Sequence, residues 1–63
     1  MKNKNLSLLR GKTGVTESEL NPGGSVQIDG EVYEARTDGE YVEQGRSVKV
    51  IRVKGRKIFV VRV

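Results

Sequence analysis

The side chains that could do covalent chemistry here are four serines, Ser7, Ser18, Ser25 and Ser47, and the lysines, because the chain holds no His and no Cys. A hydroxyl nucleophile needs a base to take its proton, so the only arrangement on offer is a Ser-Lys pair. Such a lysine must be desolvated to act as a base, and these serines fall at predicted loops and strand ends of a chain too small for a deep pocket. No catalysis is expected. The eight carboxylates never adopt the Asp-x-Asp-x-Asp-Gly spacing of a calcium loop, and zinc would lack both of its preferred ligand types. Lys54 before Gly55 sits near a hairpin tip, where carrier domains place a modified lysine, but without the flanking residues of such a site. No cofactor is expected, and the function must come from binding.

The net charge of +4 conceals a segregation along the chain. All eight acids (Glu17, Glu19, Asp29, Glu31, Glu34, Asp38, Glu40, Glu43) lie between positions 17 and 43, where Arg36 is the only base. The last third carries Arg46, Lys49, Arg52, Lys54, Arg56, Lys57 and Arg62, and the start carries Lys2, Lys4, Arg10 and Lys12. Two arrangements fit. The bases could form an open stripe for nucleic acid or anionic lipid, or acidic middle strands could lie beside basic outer ones, where opposite charges contribute about 0.2–1 kcal/mol per pair. The second is the expectation.

The elements that must position these groups are short. Five apolar runs separated by turn residues, with no helix-length periodicity, predict a small closed all-β module. Asp29-Gly30 between Val26-Gln27-Ile28 and Glu31-Val32-Tyr33 is the strongest local signal, because a type I′ turn needs φ > 0 at two successive residues. Lys54-Gly55-Arg56 predicts a second hairpin, and Asn21-Pro22-Gly23-Gly24 a turn between the first two strands. The first strand is expected over 8–16, with Gly11 and Gly14 marking a bulge or a close backbone approach. In the fourth strand a bulge near Val50-Ile51 would turn Val48, Val50, Ile51 and Val53 inward together. Gly39 and Gly45 disfavour a helix before it, which leaves a loop with Val42 pointing inward.

This pattern predicts a five-stranded OB-fold-like Greek-key barrel without a helix between the third and fourth strands, with an SH3-like barrel as the competing topology. The expected domain spans 8–63, with a disordered tail over 1–7. The expected core is Val15, Leu20, Val26, Ile28, Val32, Ala35, Val42, Val48, Val50, Val53, Ile58 and Val60. A domain of this length buries only about 60% of the surface its unfolded chain exposes, so each of these should matter. In the last strand both faces are apolar: Ile58 and Val60 on one, Phe59, Val61 and Val63 on the other. Either a curled end strand is buried on both sides, which is the expectation, or one face meets a partner. No run approaches the roughly 18 apolar residues of a membrane span.

The order of these motifs closely resembles the C-terminal soluble domain of the NfeD-like family. The matching residues are Gly11 and Gly14, Leu20-Asn21-Pro22-Gly23-Gly24, Gly30-Glu31, Val42 three residues before Gly45, Val48 and Val50, then Gly55, Ile58 and Val60. Tyr33 and Ala35 agree with the family's third strand. The sequence departs at Ser18, where the family commonly has Thr, and in its strongly basic last third.

The resemblance implies an OB-fold adaptor of a membrane-anchored protein, lying on the cytoplasmic side, whose partners are stomatin-, prohibitin- or flotillin-like scaffold proteins. Longer relatives carry a Ser-Lys protease domain and membrane spans, neither of which is in this chain. The expected partner-binding residues are Tyr41, Phe59, Val61 and Val63, with Pro22, Asp29, Gly30, Gly45 and Gly55 as structural turns. The alternative is an OB-fold nucleic-acid module using the basic last third. Single strands are held on aromatic platforms, and this chain has only Tyr33, Tyr41 and Phe59. No specific nucleic acid is therefore expected as a partner.

Overall fold

The computed structural model describes residues 6–63. A 3-10 helix η1 (Leu6–Leu9) precedes five strands: β1 (Thr13–Thr16), β2 (Gly23–Ile28), β3 (Glu31–Arg36), β4 (Ser47–Lys54) and β5 (Lys57–Arg62). They close into a barrel in the order β1-β2-β3-β5-β4, with β4 returning to β1. Strands β1 to β3 form a meander, the long 37–46 connection carries β4 back beside β1, and β5 closes the wall antiparallel to β4 and parallel to β3. The spatial order β4-β1-β2-β3 is a Greek key, as expected from the sequence. No helix occupies 37–46.

Local chemistry explains the turns. Asp29 and Gly30 have φ of 53° and 83°, the two positive values a type I′ hairpin requires, and Ile28 pairs directly with Glu31. In the second hairpin Lys54 pairs with Lys57 around Gly55, whose φ of 62° suits the first central position of a type II′ turn. Gly45 turns the chain into β4, again at positive φ. Pro22 follows a cis peptide bond and its carbonyl accepts from the Thr37 amide at 3.0 Å. The predicted turn at 21–24 is shorter than expected: Gly23 and Gly24 already belong to β2. Gly24 is there because a Cβ would run into the Glu19 carbonyl and lie 2.7 Å from Ser18 Oγ. Gly14 answers the same need, since its Cβ would collide with the Gln27 carbonyl and lie 2.6 Å from Ile28 Cγ1.

The core is Leu9, Leu20, Val26, Ile28, Ala35, Val42, Val48, Val50, Ile58 and Val60, with Leu6, Tyr33 and Val53 packed against it. Two expected members are outside. Val15 is 46% exposed and Val32 57% exposed. Strand alternation explains both: Thr16 takes the inward phase of β1 opposite Val26, and Tyr33 and Ala35 take that of β3, so their neighbours must face out. The bulge in β4 falls where expected, between Val50 and Arg52. Ile51 is the extra residue and stays 40% exposed, and the phase change returns Val53 rather than Ile51 toward the interior.

The start of the chain also differs from expectation. Gly11, at φ 90°, ends a turn rather than a strand, so β1 begins at Thr13 and not at Leu8. Leu9 is buried and η1 packs on β4. Of the expected tail over 1–7, Leu6 and Ser7 form the start of η1, and the remainder lies outside the described residues.

Candidate interaction site

Two buried threonines fix the long connection that ends at β4. Thr16 Oγ1 donates to the Glu43 carbonyl at 2.7 Å and accepts from the Arg46 amide at 2.8 Å. The Thr16 backbone accepts from the Gly45 amide at 2.9 Å. Thr37 Oγ1 donates to the Glu40 carbonyl and accepts from the Gly39 amide at 3.2 Å. Between them Val42 pairs with Leu20 as an isolated antiparallel bridge. Neither threonine stood out in the sequence, because an inward-facing hydroxyl looks like any strand Thr until the chain it bonds is in place. Ser18 holds the neighbouring turn, accepting from the Ser25 amide at 3.1 Å and donating to the Glu19 carbonyl at 3.1 Å.

Tyr41 projects from this connection, 50% exposed, and donates its hydroxyl to Glu19 Oε1 at 2.9 Å. The bond to the carboxylate, followed by partial desolvation and the Glu19 charge, raises its pKa above the ordinary 10.0. Phe59 and Val61 are half-buried on the outer face of β5, and Val63 is exposed just beyond it, its amide donating to Ser47 O at 3.2 Å. The Arg52 guanidinium covers one Phe59 face at 4.2 Å from the ring centroid. The outer face of β5 is thus neither bare nor fully covered.

Cations border that apolar strip. In the register Phe59 lies between Arg36 of β3 and Arg52 of β4, and Val61 beside Lys49. Phe59 also lines an open groove of about 690 Å³ with Pro22, Arg36, Thr37, Asp38, Gly39, Lys54 and Lys57. Tyr41 is not part of it. Of the expected partner residues, Phe59 lines the groove and Val61 shares its face of β5, while Tyr41 bonds Glu19 and does not line the groove.

The acidic middle and the basic ends meet as expected. Lys12 reaches Asp29 at 2.9 Å, Arg46 reaches Glu43 at 2.9 Å, Arg52 reaches Asp38 at 3.2 Å and Lys57 reaches Glu34 at 3.8 Å. The hydrogen bond and then the charge of Asp29 raise the Lys12 pKa above 10.5. These pairs are exposed and individually weak, but each couples an acid of the middle segment to a base outside it. Among the described residues no group of three or more carboxylates converges as a metal site.

The profile of the NfeD-like C-terminal, partner-binding domain matches residues 6–62. The chain belongs to the NfeD-like family. This NfeD-like chain is 42% identical over 52 residues to membrane protein NfeD1b of Bacillus subtilis (strain 168), covering 82% of the chain but only 12% of that relative's length. It superposes with a TM-score of 0.89 and 31% identity on the C-terminal domain of stomatin operon partner protein 1510-C from Pyrococcus horikoshii, covering 97% of each chain. A soluble domain from Corynebacterium glutamicum, described as part of a membrane protein implicated in regulation of membrane protease activity, shares the fold at 23% identity and a TM-score of 0.85. No helix of the described residues is long and apolar enough to cross a membrane.

Proposed function

We propose that this NfeD-like domain is a non-catalytic adaptor by which a membrane-associated parent protein engages a stomatin-, prohibitin- or flotillin-like scaffold on the cytoplasmic side of the membrane. The observation that supports the reading is the 31% sequence identity, over 97% of each chain, to the C-terminal domain of a stomatin operon partner protein, since a shared fold alone leaves the partner open. Phe59, Val61 and Val63 supply the contact surface, and Tyr41 a separate secondary one. An aromatic side chain half-covered by its own arginine has an apolar body already ordered for contact, which lowers the entropy lost on binding.

The test is co-expression of the intact parent protein with a stomatin-like protein of the same organism, followed by affinity capture. Co-elution that is lost with Phe59→Ser, in a variant whose circular dichroism shows it folded, is the expected result. Absence of pairing overturns the partner assignment. Pairing untouched by Phe59→Ser overturns the surface.

A further inference from the structure

The last hairpin sets two lysines opposite each other, Lys54 against Lys57, and like charges in that position repel. Lys57 has Glu34 at 3.8 Å. Lys54 and the nearby Arg36 have no carboxylate within ion-pair distance among the described residues. All three line the groove whose apolar members are Pro22 and Phe59. A cluster that local strand chemistry disfavours, placed around an accessible aromatic ring, is where a binding requirement overrides local stability.

We propose that this groove is a docking site for an acidic peptide segment of a partner protein, with carboxylates on Arg36, Lys54 and Lys57 and an apolar side chain on Phe59 and Pro22. The proposal deepens the adaptor reading and rests on it for the partner's being a protein. Strand addition is not the mode: at the groove β5 is hydrogen-bonded to β4 on one side and to β3 on the other, so the groove offers side chains rather than a strand edge. A uniformly charged polyanion fits less well. The Asp38 carboxylate lies on the same wall, held by Arg52 at 3.2 Å, and one Phe59 face is already occupied by the Arg52 guanidinium. A peptide can present an N–H to Asp38 and still place carboxylates on the cations, whereas a phosphate backbone cannot alternate in this way.

Fluorescence anisotropy of the 63-residue chain with a labelled peptide of glutamates flanking a single phenylalanine tests the site. The glutamine counterpart should bind about tenfold more weakly, and so should the glutamate peptide to Arg36→Ala/Lys54→Ala. Val15→Ser/Val32→Ser, on the outer face elsewhere, should leave binding unchanged. Because Arg36 is half-buried, Lys54→Glu/Lys57→Glu at exposed positions carries the same expectation if the alanine pair fails to fold. Equal binding by wild type and the charge variants overturns the proposal, as does tighter binding of oligothymidylate or phosphatidylserine vesicles than of the peptide at about 0.15 M salt. The two readings separate cleanly. Capture of a stomatin-like protein undiminished in Lys54→Glu/Lys57→Glu sinks the groove and spares the adaptor, while peptide binding without any capture spares the groove and sinks the assigned partner.

Discussion

Leu20 and Val42 bond to each other through both backbone amides, at 2.8 and 3.0 Å, and both side chains are fully buried. This bridge ties the connection between β1 and β2 to the one between β3 and β4, and so closes one end of the barrel. Replacing Leu20 or Ile28 by Ala should cost about 2–5 kcal/mol, a large part of the stability available to so small a domain. Val50→Ala should act in the same direction. Chemical denaturation reads the loss, and an unchanged midpoint in these variants would refute the core assignment.

Thr16 should prove as important as an apolar core residue. Thr16→Val keeps the shape but takes the partner hydroxyl from the Glu43 carbonyl and the Arg46 amide; a fully buried group left unsatisfied costs about 1–3 kcal/mol, and these part-buried ones should lose up to that much. Thr16→Ser should retain most of the stability, because the hydroxyl remains. If valine were tolerated as well as serine in urea unfolding, the connection would not depend on that hydroxyl.

The residues that were legible in the sequence are those whose role is local. Asp29-Gly30 and Gly55 declare their hairpins through backbone torsion alone, and the conflict of phase between Val48-Val50 and Val53 announced the bulge. What the sequence hid depends on distant partners. Val32 and Val15 look like core valines until strand pairing assigns their faces. Gly24 looks like a turn residue until the Glu19 carbonyl is placed against it. Leu9 carries no periodic signal, since a single 3-10 turn is too short to show one. At the candidate site Phe59 and Val61 are visible as an unexplained second apolar face, but the Lys54–Lys57 pairing required the register, and the groove that includes Phe59 and omits Tyr41 required the folded chain.

Tyr41 offers a reading of pH. Its hydroxyl bonds the Glu19 carboxylate, and its folded pKa is raised above the ordinary 10.0, so the neutral phenol is favoured by folding. The contribution to stability is therefore complete below the unfolded value and is lost as pH rises through the folded one. Lys12, raised above 10.5 beside Asp29, has the same sign. The tyrosinate absorbance of Tyr41 should appear above pH 10.0 and move down in Glu19→Gln, which keeps an acceptor but removes the charge. A titration unaltered by Glu19→Gln would exclude the negative charge of Glu19 as a cause of the shift.

Charge separates the adaptor from the nucleic-acid reading most cheaply. Among the described residues four ion pairs join the acidic middle to bases outside it, so part of the positive field is compensated locally and the rest is screened beyond about 8 Å at physiological salt. Stacking is also poorly served: Tyr33 packs against the core, Tyr41 bonds Glu19, and Phe59 lies beneath Arg52. Single-stranded oligonucleotide should therefore bind no better than non-specifically, with Kd of about 10⁻⁴–10⁻⁶ M. Arg52→Ala combined with Lys54→Ala should change that weak affinity only slightly, because Arg52 is already engaged with Asp38 and Phe59. Sub-micromolar binding at about 0.15 M salt, abolished by the same double change, would instead establish the bases as one open groove and make nucleic acid the partner.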